Sequence, residues 1–208
     1  MTEEKKFASA ANVAKLGVLL ALVIVLQAFG GSIMIGAVQL NFTLIPIVLG
    51  AVLLGWREGA FLGFACGVVV LIQVILGMSP FYTVIWTNSP VVTVLTCIVK
   101  TTVAGAVAGI LYELIAKKNR YVAVFAASAA VPVINTGLFI VGCLCMQQSI
   151  LSFQQSLPAE AGFTGMNVLV FILMGLVTFN FFIEFAINII LAPAIHTIVR
   201  VVEKRIAR

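Results

Sequence analysis

Residues 94–109 read VLTCIVKTTVAGAVAG, and their interpretation decides the fold. One charge, Lys100, interrupts the run, and the nearest other charge along the chain is Glu113. Extended to residues 90–116, the run is long enough to cross a bilayer's hydrocarbon core, which takes ~20 helical residues. Similar runs recur through the chain. Of its 208 residues 62% are hydrophobic and only 9% charged, with a mean hydropathy of +1.22. Soluble domains carry about a quarter charged residues, so this chain lacks the polar coat that would hold it in water. No alternating ten-residue pattern of barrel strands is visible, whereas a helix satisfies its own backbone bonds in lipid. The expected fold is all-α: an integral membrane bundle of six transmembrane helices, in one domain over residues 1–208.

The six spans are read at 8–29, 40–55 (short, with Pro46 inside), 59–77, 90–116, 121–146 and 167–199. With the N-terminus placed in the cytoplasm, Lys5, Lys6, Lys15, Arg57, Lys117, Lys118, Arg120, Arg200, Lys204, Arg205 and Arg208 all fall on the inner side. The outer loops 30–39, 78–89 and 147–166 hold no Lys or Arg. This is the positive-inside pattern, and it puts both termini in the cytoplasm. Lys5, Lys6 and Lys15 ahead of an apolar run, with Ala28-Phe29-Gly30 after it, also fit a signal peptide. The run is long enough to span, so it reads as a retained first helix.

Several function classes drop out. The net charge of +5 is spread over short flanks and forms no nucleic-acid face. Cys66, Cys97, Cys143 and Cys145 lie in apolar runs. Cys143-x-Cys145 points two ways on a helix and lacks zinc partners, so no metal site is expected. There is one histidine, His196, read as interfacial. No Gly-x-Ser-x-Gly, His-Glu-x-x-His or Gly-x-x-x-x-Gly-Lys occurs. The chain is therefore not expected to be an enzyme or to bind ATP itself.

A charge near the bilayer centre costs ~2.5–3.5 kcal/mol on insertion scales, so it normally faces the bundle interior or a wet cavity. Lys100 and Glu184 qualify. Thr93 and Thr96 lie on the outer side of Lys100 at helical spacing. Asn180, Glu184 and Asn188 repeat every four residues and form one polar face. Asn135 and Thr136 follow Pro132, and Gln39, Asn41, Gln73, Trp86, Asn88 and Gln147 lie near the outer ends. The candidate substrate-binding set is Lys100, Asn135, Thr96, Asn88, Trp86, Gln73, Asn41 and Glu184, lining a pocket that opens outward. Two alternatives stay open for Lys100, an ion pair with Glu184 or an anionic group of a ligand.

Small residues also form stripes. Ala10, Ala14, Gly17 and Ala21 share one face of the first helix. Gly59, Gly63 and Gly67 mark the third, and Gly105 and Gly109 the fourth. Small faces let helices approach closely in lipid. The third- and fourth-helix stripes read as internal packing, and the first as internal packing or a surface for a partner.

With these features in place, the chain resembles the substrate-binding S components of energy-coupling factor (ECF) transporters. Residues 42–72, FTLIPIVLGAVLLGWREGAFLGFACGVVVLI, are similar to that family's second and third helices, with Gly55-Trp56-Arg57-Glu58-Gly59 as the turn. Gly17-x-x-x-Ala21 resembles its Ala-x-x-x-Ala motif, and residues 132–142, PVINTGLFIVG, the fifth helix of a vitamin-uptake branch. The resemblance implies a high-affinity binding subunit for a water-soluble vitamin. It implies docking through Ala10, Ala14, Gly17 and Ala21 on a transmembrane scaffold subunit that works with two ATPase subunits. ATP is then used by the partners, and no cofactor is expected in this chain. It further implies that the 30–39 loop gates the site. An interior lysine favours a carboxylate, pointing to pantothenate first, then folate, with riboflavin possible and cationic thiamine less so. The competing readings are a self-sufficient secondary transporter or channel for a small anionic solute, and a membrane scaffold without ligand.

Overall fold

A computed structural model describes residues 10–30, 34–35, 38–39 and 41–206. Helix α1 is Ala10–Gly30, followed by a minimal antiparallel pair, β1 Met34–Ile35 and β2 Val38–Gln39. Then come α2 Leu44–Leu54, α3 Trp56–Ile75, α4 Pro80–Asn88, α5 Pro90–Ala116, α6 Arg120–Cys145 and α7 Gln147–Ser156. A 3-10 turn at Ala159–Ala161 leads to α8 Val168–Val170, a π-helical segment Phe171–Val177 and α9 Thr178–Ile206. The expected gate, residues 30–39, lies outside the described residues apart from Gly30 and the two short strands.

Five helical stretches, Ala10–Phe29, Trp56–Ile75, Pro90–Ala116, Arg120–Cys145 and Val168–Val202, are long and apolar enough to cross a membrane. The second expected span is shorter than read. Its helix has 11 residues, or ~16 Å at 1.5 Å per residue, about half a crossing. Such a short helix is tolerated at membrane depth only inside protein, and its Leu44, Ile47, Val48 and Ala51 are fully buried. Pro46 falls in its first turn, where no intrahelical bond is lost. At Gly55, between α2 and α3, φ is 122°. Glycine adopts that backbone without the Cβ penalty other residues carry, and the chain reverses there.

Helix α5 is the axis of the bundle, packed between α3 and α6. The glycine stripes make the α3–α5 seam. A Cβ added to Gly59 would lie 2.6 Å from the Gly105 carbonyl oxygen, and one on Gly67 would lie 2.7 Å from that of Cys97. These stripes are internal packing, as expected. The stripe on α1 faces the other way. Ala10, Ala14, Gly17 and Ala21 are all exposed, and nothing lies within 4 Å of a Cβ placed on Gly17. The bundle instead receives Leu19, Val23 and Gln27 from α1, at steps of four.

The outer connections carry more structure than loops. α4 and α7 lie at the end reached by the C-termini of α3 and α6. Phe81 of α4 stacks edge-on against Tyr82 (5.2 Å) and Phe153 of α7 (5.1 Å), and tilts toward Phe139 of α6 (5.9 Å). Ser89 and Ser149 hydroxyls join the two segments at 2.8 Å. Ile150 and Phe153 are buried in this cluster, while Leu151 is exposed.

Candidate functional site

Beneath that aromatic cluster lies a chamber of about 50 Å³. By this measure a water needs ~10–15 Å³, so the chamber has room for a few waters. Its polar wall is Gln27, Asn41, Tyr82, Lys100, Asn135, Thr136, Asn180 and Glu184, and its apolar wall includes Val70, Phe139, Leu176 and Phe181. The side chains come from several helices of the bundle. Lys100 is at the middle of α5. Asn135 is one turn above Pro132, whose missing N–H leaves the Ser128 carbonyl without its helical donor. The π-helical turn supplies Leu176 and Val177, and the Asn180–Glu184–Asn188 face starts just after it.

Lys100 is 7% exposed, and its ammonium sits 5.2 Å from the centre of the Phe139 ring. That contact is a cation–π interaction. Among the described residues Lys100 forms no ion pair within 4.0 Å. Glu184, also 7% exposed, is engaged elsewhere. Its Oε1 accepts the Asn41 backbone N–H at 2.8 Å, and its own carbonyl accepts from Asn188 Nδ2 at 2.8 Å. Both charges therefore face one chamber without closing on each other. Tyr82 and the Phe139 ring neighbour the ammonium, but a buried charge with no counter-ion among the described residues is costly, and the space next to it suits an anion.

A polar chain runs from Glu184 around the wall. Asn41 Oδ1 accepts from the Thr43 N–H (3.2 Å) and the Thr43 hydroxyl. Thr43 Oγ1 lies 3.0 Å from Cys66 Sγ, which points to Gln27 Oε1 at 3.7 Å. Gln27 Nε2 donates to Gln73 Oε1 (2.9 Å), and Gln73 Nε2 donates back to the Gln27 carbonyl (3.0 Å). At the far wall Asn135 is 5% exposed, and its Oδ1 has no hydrogen-bond donor among the described residues.

Four of the eight expected site residues thus meet in the chamber: Lys100, Asn41, Asn135 and Glu184. Gln73 stands one bond behind, holding Gln27. The other three lie off the wall. Thr96 turns its hydroxyl to the Val92 carbonyl at 2.7 Å and packs on Gly142. Asn88 is exposed and donates to the Val84 carbonyl at 2.9 Å. Trp86 is half-buried in the apolar packing of α4. The threonine path toward Lys100 also closes on the backbone, since Thr93 Oγ1 donates to the carbonyls of Ser89 (2.9 Å) and Ile85 (3.1 Å). Gln27, Tyr82 and Phe139 escaped the sequence reading. Gln27 had a usable signal: within residues 16–29 it is the one polar side chain. Tyr82 had none, because the 78–89 stretch read as a loop.

No group of three or more His, Cys, Asp or Glu side chains that could hold a metal occurs among the described residues. Cys143 is buried and Cys145 exposed, facing opposite ways as their spacing requires. A polytopic helical bundle with polar groups and a buried cation around an internal chamber has the form of a membrane solute-binding protein.

Residues 11–196 match the family described as "ECF transporter, substrate-specific component", and the chain belongs to that family. It is a transporter subunit rather than an enzyme, and a multi-pass protein of the prokaryotic cell membrane. A relative is the Pantothenic acid transporter PanT of Lactococcus lactis subsp. cremoris (strain MG1363), 31% identical over 78 residues, which cover 36% of this chain and 40% of that protein.

Proposed function

We propose that this chain is the pantothenate-binding subunit of an ATP-driven importer. The observation that carries the reading is Lys100, buried, without an ion pair among the described residues, and lining the chamber. Pantothenate carries a carboxylate at one end, hydroxyls at the other and an amide between. The carboxylate meets the Lys100 ammonium, a charge-assisted contact that is strong out of water. A ligand hydroxyl donates to the orphan Asn135 Oδ1. Gln27, Tyr82 and Asn180 offer further donors and acceptors around the amide. The similarity to PanT supports the same cargo.

In this reading the scaffold subunit docks on the exposed Ala10, Ala14, Gly17 and Ala21 face of α1, and two ATPase subunits supply the energy. The test is calorimetry on purified protein with pantothenate, folate, riboflavin and thiamine. Pantothenate is expected to bind without any ion requirement, and uptake into liposomes to need the partner subunits. Ion-driven uptake by the chain alone would instead establish a secondary transporter. Mass spectrometry of the denatured protein identifies any vitamin that copurifies.

A further inference from the structure

A second cavity, about 170 Å³, lies at the basic end of the bundle among Tyr112, Arg120, His196, Val199 and Arg200. Three helices build it: the last turns of α5, the first residue of α6 and the final third of α9. Two guanidinium groups and an imidazole line it, and no described lining residue is a carboxylate. Glu113 on α5 turns away, its Oε1 3.5 Å from where a Gly55 Cβ would stand.

Three of the groups are held, and Arg200 is exposed. Arg120 and Tyr112 each engage a partner within the protein. The Tyr121 ring meets His196 edge-on at 5.3 Å. Val199 is buried and gives the cavity an apolar side. Tyr121, Val122, Ile198 and Val201, near the cavity in sequence, are all exposed. On a membrane protein such residues meet acyl chains, while the positive-inside rule sets this end at the cytoplasmic headgroups.

We propose that this cavity binds the phosphate of an anionic phospholipid of the inner leaflet. Arginine presents a planar donor fork that matches phosphate oxygens, and basic pockets between helices at this depth suit anionic headgroups. The exposed apolar residues beside it favour a lipid over free phosphate, because the acyl chains then cover them. A zwitterionic headgroup would bring its ammonium against two arginines.

The experiment uses the full chain in neutral detergent. Native mass spectrometry and unfolding midpoints are read with phosphatidylglycerol, with phosphatidylcholine of the same acyl chains, and with sodium phosphate. Phosphatidylglycerol is expected to be retained about 25-fold better than phosphatidylcholine, as two basic groups near the surface would give at about fivefold each. Arg200→Gln should cut that preference about fivefold. Lys118→Gln, which removes an exposed charge outside the cavity, should leave it unchanged. Equal retention of the two lipids by the native protein overturns the proposal, and that comparison needs no variant. Equal loss in Arg200→Gln and Lys118→Gln also overturns it, showing diffuse attraction. If sodium phosphate raises the midpoint as much as the lipid does, the lipid assignment falls.

Discussion

Lys100 and Glu184 line the same chamber from α5 and α9, yet Glu184 is bonded to the Asn41 N–H at 2.8 Å and forms no ion pair with Lys100. Their separation has a direct consequence for mutation. Removing one member of a buried ion pair typically costs 3–5 kcal/mol because the other charge is stranded. Lys100→Ala breaks no such pair.

Lys100→Ala is therefore expected to keep the fold and lose the ligand. A hydrogen bond to a charged group is worth about 1.5–3 kcal/mol, so pantothenate affinity should fall roughly 10- to 100-fold, at ~1.4 kcal/mol per tenfold. Calorimetry over the vitamin panel, beside a detergent melting curve, reads both effects. Unchanged affinity for every vitamin counts against the proposed role.

Glu184 should separate shape from charge. Glu184→Gln keeps an oxygen that can accept the Asn41 N–H, so the melting temperature should move little. Glu184→Leu leaves that N–H without its acceptor, which costs about 1–3 kcal/mol when the group is buried. A leucine variant as stable as the glutamine variant would show that the 2.8 Å bond contributes nothing to the bundle.

Gln27 and Gln73 exchange two bonds and tie α1 to α3 at the chamber wall. Gln73→Leu should release the Gln27 side chain and lower stability by about 1–3 kcal/mol. It should also weaken pantothenate binding, although Gln73 does not itself line the chamber. Full affinity with lowered stability would make Gln73 structural alone.

The spans were legible from sequence because lipid imposes one strong rule, that apolar length and internal backbone bonding go together. The 27-residue α5 obeys it plainly. The half-length α2 does not, since an apolar run buried in protein and one facing lipid look alike. Lys100, Asn135 and Glu184, which line one chamber, stood out because a polar group at membrane depth is costly wherever it occurs. Thr96 misled because threonine in a helix can bond its own backbone four residues back, as Thr96 does to Val92. Which way a polar side chain turns depends on neighbouring helices, and a single helix's spacing does not contain that information.

The two kinds of small-residue stripe give the sharpest contrast. A Cβ on Gly63 would lie 2.9 Å from the Thr102 nitrogen, against backbone that has nowhere to go. Gly63→Leu should then cost at least the ~1–3 kcal/mol typical of overpacking, and yield protein that aggregates or melts early in detergent. On α1 the outcome should invert. Ala14 and Gly17 are exposed and Gly17 has open space around it, so Ala14→Leu with Gly17→Leu should leave the melting temperature and pantothenate affinity unchanged. The same double variant should fail to copurify with the scaffold and ATPase subunits, because close approach of a partner helix needs small residues. Pull-down of the assembled complex, beside calorimetry on the isolated chain, reads the two effects separately. Intact assembly with lost ligand binding would place the functional face of α1 on the Leu19–Val23–Gln27 side instead.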